Sequence, residues 1–170
     1  MLAILILTLL GRDFACECGI VKFWSGDIFS NENSQQISDP YTFTHILHGI
    51  IFYFLLWIFG KNWPIGLRLV LAVTIESSWE ILENTNAVIE LYRAGTISLG
   101  YYGDSVINSA SDILVSILGF WTAYRLPVWA SVSIFLLIES LLLLFIRDSL
   151  IINIIMLVIP IEAIKIWQMN

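Results

Sequence analysis

Acidic and amide side chains recur at helical spacing in two stretches of this chain. They are Glu76, Glu80 and Glu83 in the first stretch and Asp104, Asn108 and Asp112 in the second. Residues three or four positions apart lie on the same face of a helix, so each set forms a polar stripe. Like charges this close stay ionised in a low dielectric only where cations compensate them. The pattern therefore predicts bound metal, paired basic residues or raised carboxyl pKa values.

Two histidines precede these stripes at a spacing that puts both on one helix face. His45 and His48 are three residues apart, and such a pair facing carboxylates suits either a metal centre or a general base oriented by an acid. We predict catalytic roles for His45, His48, Glu80 and Asp104, and metal ligation by Glu76, Glu80, Glu83, Asp104 and Asp112. These donors suit zinc, manganese or magnesium alike, so the predicted cofactor is a divalent metal ion of open identity.

A purely structural interpretation of the same residues stays open. Small and polar side chains such as Ser105, Ser109 and Ser111 commonly form hydrogen bonds between membrane helices. Five carboxylates exceed what such bonds normally need, which favours a functional site. The chain has no His-Glu-x-x-His, Gly-x-Ser-x-Gly or glycine-rich phosphate motif that would specify one reaction.

The composition places these polar residues in a membrane protein. The 170 residues are 58% hydrophobic and 13% charged, and the mean hydropathy is +0.85. Such values are typical of a polytopic membrane protein that lies in the lipid bilayer, and not of a soluble domain. A net charge of −6 with eight scattered Lys and Arg residues argues against nucleic acid as a partner. The length predicts a single membrane domain over residues 1–170.

Hydrophobic runs predict an all-α fold, a polytopic transmembrane helix bundle of five full helices plus a short or truncated first helix. The predicted segments are Met1–Leu10, Thr42–Phe59, Ile65–Asn84, Asp104–Tyr124, Val128–Ile146 and Leu150–Trp167. A helix needs about 20 apolar residues to span a bilayer, and the first segment has about half that length. Residues 85–103 are predicted to be a loop.

Counting crossings puts the polar residues at one face of the membrane. The connections 11–41, 85–103 and 147–149 alternate along the chain and therefore share a side. The two short connections on the opposite side contain Lys61 and Arg125 and no acid. Basic residues mark the cytoplasmic side, so the polar face is predicted to be external.

Two features outside the stripes leave alternatives open. Cys16 and Cys18 form a disulfide, part of a metal site or two unpaired thiols, although cysteines two apart are hard to bridge. The polar stretch 30–36 is either a plain loop or a lid over the site. Glu139, within the fifth predicted helix, has no obvious partner in sequence.

Several groups of residues carry a resemblance to a known family. They are Cys16-x-Cys18-Gly19, Glu32-Asn33-Ser34-Gln35, Tyr41-Thr-Phe-Thr-His45-x-x-His48-Gly49, Trp79-Glu80-x-x-Glu83-Asn84, Tyr101-Tyr-Gly-Asp104-Ser-Val-Ile-Asn108-Ser109, Ser111-Asp112, Arg147-Asp148 and Asn153-Ile-Ile-Met156. Together they resemble an uncharacterised family of bacterial multi-pass membrane proteins. The resemblance implies a location in the inner membrane and does not imply an activity.

A more distant similarity is to the VanZ-like membrane proteins, which are linked to glycopeptide tolerance at the cell envelope. It rests on the order of a histidine near a helix start, a glutamate on the next helix, Arg93, and Asp104-x-x-x-Asn108 before Gly119. The similarity therefore rests on a few spaced residues.

Two functional hypotheses follow from the residues. The first is a metal-assisted hydrolase or transferase whose outer-face cavity takes the headgroup of a lipid or cell-wall precursor. In that hypothesis Asn108 binds substrate and Arg93 or Arg147 clamps an anionic group. The second is a non-catalytic protein that binds cations or protons, transports a solute or assists envelope assembly.

Overall fold

The computed structural model describes residues 2–169, which form eight α-helices and no strand. The helices are α1 (Leu2–Leu9), α2 (Thr42–Phe59), α3 (Ile65–Glu83), α4 (Asn86–Gly95), α5 (Val106–Arg125), α6 (Val128–Ile146), α7 (Leu150–Val158) and α8 (Glu162–Met169). The all-α prediction is confirmed. Met1, the first residue of the predicted short helix, and Asn170 lie outside the described residues.

Four of the helices are long and agree with the hydrophobic runs. The helices α2, α3, α5 and α6 contain 18, 19, 20 and 19 residues. Pro64 and Pro127 stand immediately before α3 and α6, where a residue that lacks a backbone donor does not interrupt helical hydrogen bonds. Among the described residues α2, α5 and α6 are long and apolar enough to cross a membrane.

The prediction of five full helices is wrong at the C-terminal segment. The predicted helix Leu150–Trp167 is two short helices, α7 and α8, with a break around Pro160. Proline has no amide hydrogen and its ring collides with the preceding turn, so the helix ends before it. The predicted loop 85–103 also contains the helix α4, which packs against α7.

The start of α7 is fixed by an acid from the middle of α6. The Glu139 carboxylate is buried and accepts hydrogen bonds from the backbone amides of Leu150 at 3.0 Å and Ile151 at 3.4 Å. Amides in the first turn of a helix have no partner within the helix, and their dipoles favour a negative charge. Glu139 therefore has the partner that the sequence does not reveal.

The centre of the bundle is a close crossing of α2 and α5. A side chain at Gly49 would overlap with the Ser116 carbonyl oxygen, and one at Gly119 would overlap with the Ile46 carbonyl oxygen. Small residues let two membrane helices approach at backbone distance. The apolar core then continues from this crossing with Leu47, Ile50, Ala123 and Leu150.

The loop between α1 and α2 completes the first turn of α5. The amides of Ser105, Val106 and Ile107 donate to the carbonyl groups of Ser34 at 2.9 Å, Asp13 at 2.8 Å and Phe14 at 3.1 Å. The Ser105 hydroxyl accepts from the Asn108 amide, which caps the helix. Cys16 and Cys18 in this loop are joined by a disulfide. The alternative of two unpaired thiols is therefore wrong.

Replacing Gly119 with alanine is expected to destabilise the protein, because a methyl group would press on the backbone of α2. Overpacking of this kind typically costs about 1–3 kcal/mol. Thermal unfolding in detergent should show a lower midpoint for Gly119→Ala. The matched control is Gly66→Ala on α3, where nothing lies within 4 Å of the added carbon. Equal midpoints for the two variants would contradict the close crossing.

Candidate functional site

Two histidines from α2 share one buried carboxylate from α3. The Nδ1 atom of His45 lies 2.6 Å from Oε1 of Glu76, and Nδ1 of His48 lies 3.1 Å from Oε2. Glu76 is 0% exposed. A ring whose Nδ1 carries the proton for such a bond keeps Nε2 as an acceptor for another group. Glu76 therefore orients both imidazoles.

One turn along α3, Glu80 is buried without a hydrogen bond. It is 0% exposed, and both of its carboxylate oxygens lack a hydrogen-bond partner among the described residues. Its Oε1 lies 3.2 Å from Nδ1 of His45, but that nitrogen is already directed at Glu76. The Oδ1 atom of Asp112 on α5 is also unpartnered, and Oδ2 lies 3.8 Å from Nε2 of His45. An isolated buried charge is very unfavourable, so these oxygens need a proton or a cation.

Two sets of side chains have donor atoms close enough to share one metal ion. They are His45, His48 and Glu76 in one set and His45, Glu80 and Glu83 in the other, with donors within 4.8 Å of one another. In the first set both histidines already bond to the carboxylate. The second set contains the unpartnered oxygens of Glu80. It is therefore the better candidate for a metal centre, with Glu76 behind it as the orienting group.

At the C-terminal end of α3, Asn84 is bonded to Asp104. Its Nδ2 atom donates to Oδ2 of Asp104 at 2.8 Å, and the Asp104 amide donates back to Oδ1 of Asn84 at 2.7 Å. The Tyr101 hydroxyl donates to Oδ1 of Asp104 at 3.0 Å. Burial raises the pKa of Asp104 to about 6, against the opposing effect of these donors. Asn84 is absent from the predicted site residues, because an amide at a helix end resembles an ordinary cap.

Asp39, which lies just before α2, is likewise absent from the predicted site residues. Its buried carboxylate accepts hydrogen bonds from the backbone amides of Ser34 at 2.9 Å and Tyr41 at 2.7 Å. Burial raises its pKa, while these amides partly offset the effect. The sequence Ser-Asp-Pro before an apolar helix is a recognisable start signal, but it does not distinguish a cap from a site residue.

A cavity of about 330 Å³ connects most of these residues. Its polar lining includes Asp39, His45, His48, Glu83, Asp104, Asn108 and Asp112. Its apolar lining includes Ile51, Phe52, Ile75, Trp79, Leu150, Ile154 and Leu157. The cavity thus has a polar end at the loops and an apolar end between helices. The polar residues of α2 and α5 therefore face a common space, whereas the α3 stripe contributes only Glu83 to its lining.

The predicted substrate-binding residues Asn108, Arg93 and Arg147 do not lie together in the structure. Asn108 lines the cavity and donates to the Gln36 carbonyl at 3.0 Å. Arg93 pairs with Glu90 at 3.0 Å, and exposed Arg147 donates to the Trp167 carbonyl at 3.3 Å. Neither arginine lines the cavity. Their predicted role as an anion clamp stays a prediction, without support from these contacts.

The polar stretch 30–36 is partly built into the site. Gln35 and Gln36 are 1% and 0% exposed. The Gln35 side chain donates to the Gly103 carbonyl at 2.7 Å, and the backbone carbonyl of Gln35 accepts from the Ser105 hydroxyl at 3.1 Å. These residues hold the loop against α5 as a fixed wall.

A further buried carboxyl group, that of Asp148, lies between α6 and α7. The Asp148 carboxylate accepts hydrogen bonds from the Tyr41 hydroxyl at 3.1 Å and from the Ser149 amide at 2.9 Å. Burial raises the pKa of Asp148 to about 6. The folded protein therefore holds this proton more tightly than the unfolded chain does.

The raised pKa gives Asp148 a defined contribution to pH-dependent stability. The pKa falls from about 6 to its ordinary value of 3.8 on unfolding, so stability decreases as the pH rises through this window and then levels off. We expect Asp148→Asn to remove a component on the order of 2 kcal/mol. Unfolding midpoints measured from pH 4 to 7 check this. The exposed Asp27→Asn variant should keep the parent's pH profile, and an unchanged profile for Asp148→Asn would contradict the assignment.

Comparison with known proteins places the chain among bacterial relatives. The family described as Protein of unknown function (DUF2585) matches residues 7–170. A UPF0314 protein of Paracoccus denitrificans is 52% identical over 168 residues, which cover 99% of this chain and 87% of the relative. No solved structure matches the chain.

Two further relatives agree with this result. A UPF0314 protein of Brucella anthropi is 50% identical over 158 residues, which are 93% of this chain and 80% of the relative. One of Sinorhizobium fredii is 50% identical over an alignment of 170 residues, and this alignment covers 99% of this chain and 86% of the relative. The predicted resemblance to an uncharacterised bacterial family is confirmed, while the VanZ-like similarity stays a prediction. The chain belongs to the DUF2585 family, together with these UPF0314 proteins.

Proposed function

We propose that this protein is a multi-pass inner-membrane protein in which a buried divalent-metal centre serves a hydrolase or transferase reaction on a lipid or cell-envelope precursor. The observation that carries the proposal is Glu80, whose two fully buried oxygens have no hydrogen-bond partner among the described residues. His45 and Glu83 offer donor atoms within 4.8 Å of it. One ion would neutralise and orient all three groups.

The charge balance favours a cation at this position. Glu76, Glu80 and Asp112 surround His45, at distances of 2.6, 3.2 and 3.8 Å. His48 adds a second imidazole at 3.1 Å from Glu76, but two imidazoles cannot neutralise three carboxylates, and the residues that line the cavity include no Lys or Arg. A divalent ion held by nitrogen and oxygen donors supplies the missing charge.

The remaining polar groups fit roles around such a centre. A divalent ion supplies Lewis-acid polarisation and an activated water. His48 lines the cavity, and its Nδ1 is directed at Glu76, so its Nε2 suits proton acceptance from a nucleophile in the cavity. Asp104 and Asn108 lie toward the loop end, where they suit contacts with a headgroup.

The membrane arrangement that supports this site uses four long helices. Three of them are long and apolar enough to cross a membrane. The fourth, α3, buries Arg68, Glu76 and Glu80 and presents Val70 and Ile75 outward, so its exposed face is compatible with lipid. Lys61 and Arg125 lie in or beside the short connections opposite the site. The positive-inside rule then directs the cavity's polar end to the outside of the inner membrane.

Single-cysteine labelling tests this orientation. In a chain with Cys16 and Cys18 replaced by serine, exposed Asn31→Cys on the site side should react with an impermeant maleimide in intact cells. Exposed Asn62→Cys between α2 and α3 should react only after permeabilisation. The reverse pattern would invert the arrangement, and labelling of both in intact cells would contradict the alternate placement of the two connections.

Metal analysis tests the centre itself. Protein purified without chelator is expected to contain about one divalent ion per chain, and chelation should lower the unfolding midpoint. Glu80→Gln should weaken metal affinity by about tenfold or more, because second-shell changes alone reach 10–100-fold. The matched control is Glu139→Gln, a buried acid that caps α7 and does not line the cavity. It should lower stability and keep the metal content.

A different outcome would favour the non-catalytic alternative. Protein that contains no metal, with a midpoint that chelation and added metal leave unchanged, would contradict the metal-dependent enzyme. The carboxylates would then act as proton carriers or as hydrogen-bonding groups between helices.

A further inference from the structure

The cavity differs in charge from a typical anion-binding site. The acidic residues in its lining are Asp39, Glu83, Asp104 and Asp112, and the lining contains neither Lys nor Arg. Glu76 and Glu80 add two more buried carboxyl groups directly behind His45. These six carboxyl groups exceed what one divalent ion neutralises, so a phosphate or carboxylate head would meet the remaining negative charge without a cationic side chain to receive it.

Aromatic rings supplement the acids at the polar end. Tyr41, Tyr92 and Tyr101 line the cavity. The rings of Tyr92 and Tyr101 pack edge to face, with centroids 5.2 Å apart, and the Tyr101 hydroxyl is bonded to Asp104. Carboxylates combined with aromatic faces are the groups that bind ammonium ions in proteins.

The opposite end of the cavity opens toward lipid. Ile75 on α3 and Ile154 on α7 line the cavity, yet they are 45% and 51% exposed. The polar residues His45 and Asn108, in contrast, are 6% and 1% exposed. The entrance therefore lies between α3 and α7 and is apolar. The polar end lies deeper in the protein, away from this entrance. A ligand that fills both ends must be amphiphilic.

We propose that the cavity binds an amphiphile with a positively charged ammonium head, which enters between α3 and α7 and places its head among Asp104, Tyr92 and Tyr101 and its chain against Ile75 and Ile154. This inference rests on the proposed function, since it names the substrate class of the same site. The cationic head differs from the hypothesis drawn from the sequence, in which Arg93 or Arg147 clamps an anionic group. The head lies beside the predicted metal centre, because Glu83 and Asp112 also line the cavity.

Three single-chain probes of equal length test the head charge: decyltrimethylammonium, decanol and decyl phosphate, each below its micelle concentration. Binding is followed by the unfolding midpoint and by titration on the purified protein, in detergent, with its metal content measured in the same preparation. We expect the ammonium probe to bind about tenfold more tightly than decanol, which corresponds to one ion-pair or cation–π increment. The phosphate probe should bind more weakly than decanol.

Variants at each end of the cavity separate head from chain. Asp104→Asn should remove most of the preference for ammonium over decanol, whereas Glu90→Gln, an exposed acid on α4, should leave it unchanged. Ile154→Trp should weaken all three probes by narrowing the entrance. Its control is Leu144→Trp on the exposed face of α6. If Asp104→Asn does not fold, the probe series on the parent and the Ile154→Trp pair still decide the question.

The outcomes distinguish the inference from the proposed function. Metal-loaded protein that prefers decyl phosphate, or that ranks the probes by chain alone, overturns the ammonium site and leaves the metal centre. Metal-free protein that prefers ammonium and loses the preference in Asp104→Asn supports the ammonium site and overturns the metal-dependent reaction.

Discussion

The bonds from His45 and His48 to Glu76 are the interaction on which the site depends. Glu76 is fully buried, so its charge is stabilised only by groups that the fold brings to it. The two imidazoles provide this compensation and join α2 to α3 at the same level. They also determine which ring nitrogens face the cavity. Glu80 lies one turn further along α3 and is brought beside His45 by the same helix pairing, while the close crossing of α2 and α5 brings Asp112 to the other ring nitrogen.

The non-helical part of the site is stable because its backbone groups are satisfied. Chain that leaves helical structure near a membrane must find hydrogen-bond partners within the protein. Here the first amides of α5 bond to carbonyl groups of the loop between α1 and α2, and Gln35 bonds to Gly103. The loop and the helix start therefore complete each other. This reciprocity explains why residues far apart in sequence, such as Asp39 and Asp104, line one small cavity.

Helical periodicity accounts for the parts of the structure that the sequence predicts well. Apolar runs and the prolines before α3 and α6 locate four long helices, and the spacing of the acids shows that they share faces. Periodicity does not reveal which neighbour a face meets. The pairing of Asn84 with Asp104, the role of Asp39 and the position of the two arginines depend on tertiary contacts. Pro160 indicates in the sequence that a helix is interrupted. Because the residues on both sides of it are apolar, the segment nevertheless resembles one continuous helix.

The capping of α7 by Glu139 has a mechanical consequence. The first turn of α7 is held to α6 through that carboxylate, while its last turn ends just before Pro160. The helix is thus attached firmly at one end and joined at the other to a segment that has no continuous helical hydrogen bonding. Ile154 and Leu157 lie between these two ends and line the cavity. A rotation of α7 about its capped end would therefore move the apolar wall that Ile154 and Leu157 contribute to the cavity. It would also carry Asn153, which donates to the buried Asp148 carboxylate at 3.4 Å, so the apolar wall and this carboxyl group are mechanically coupled.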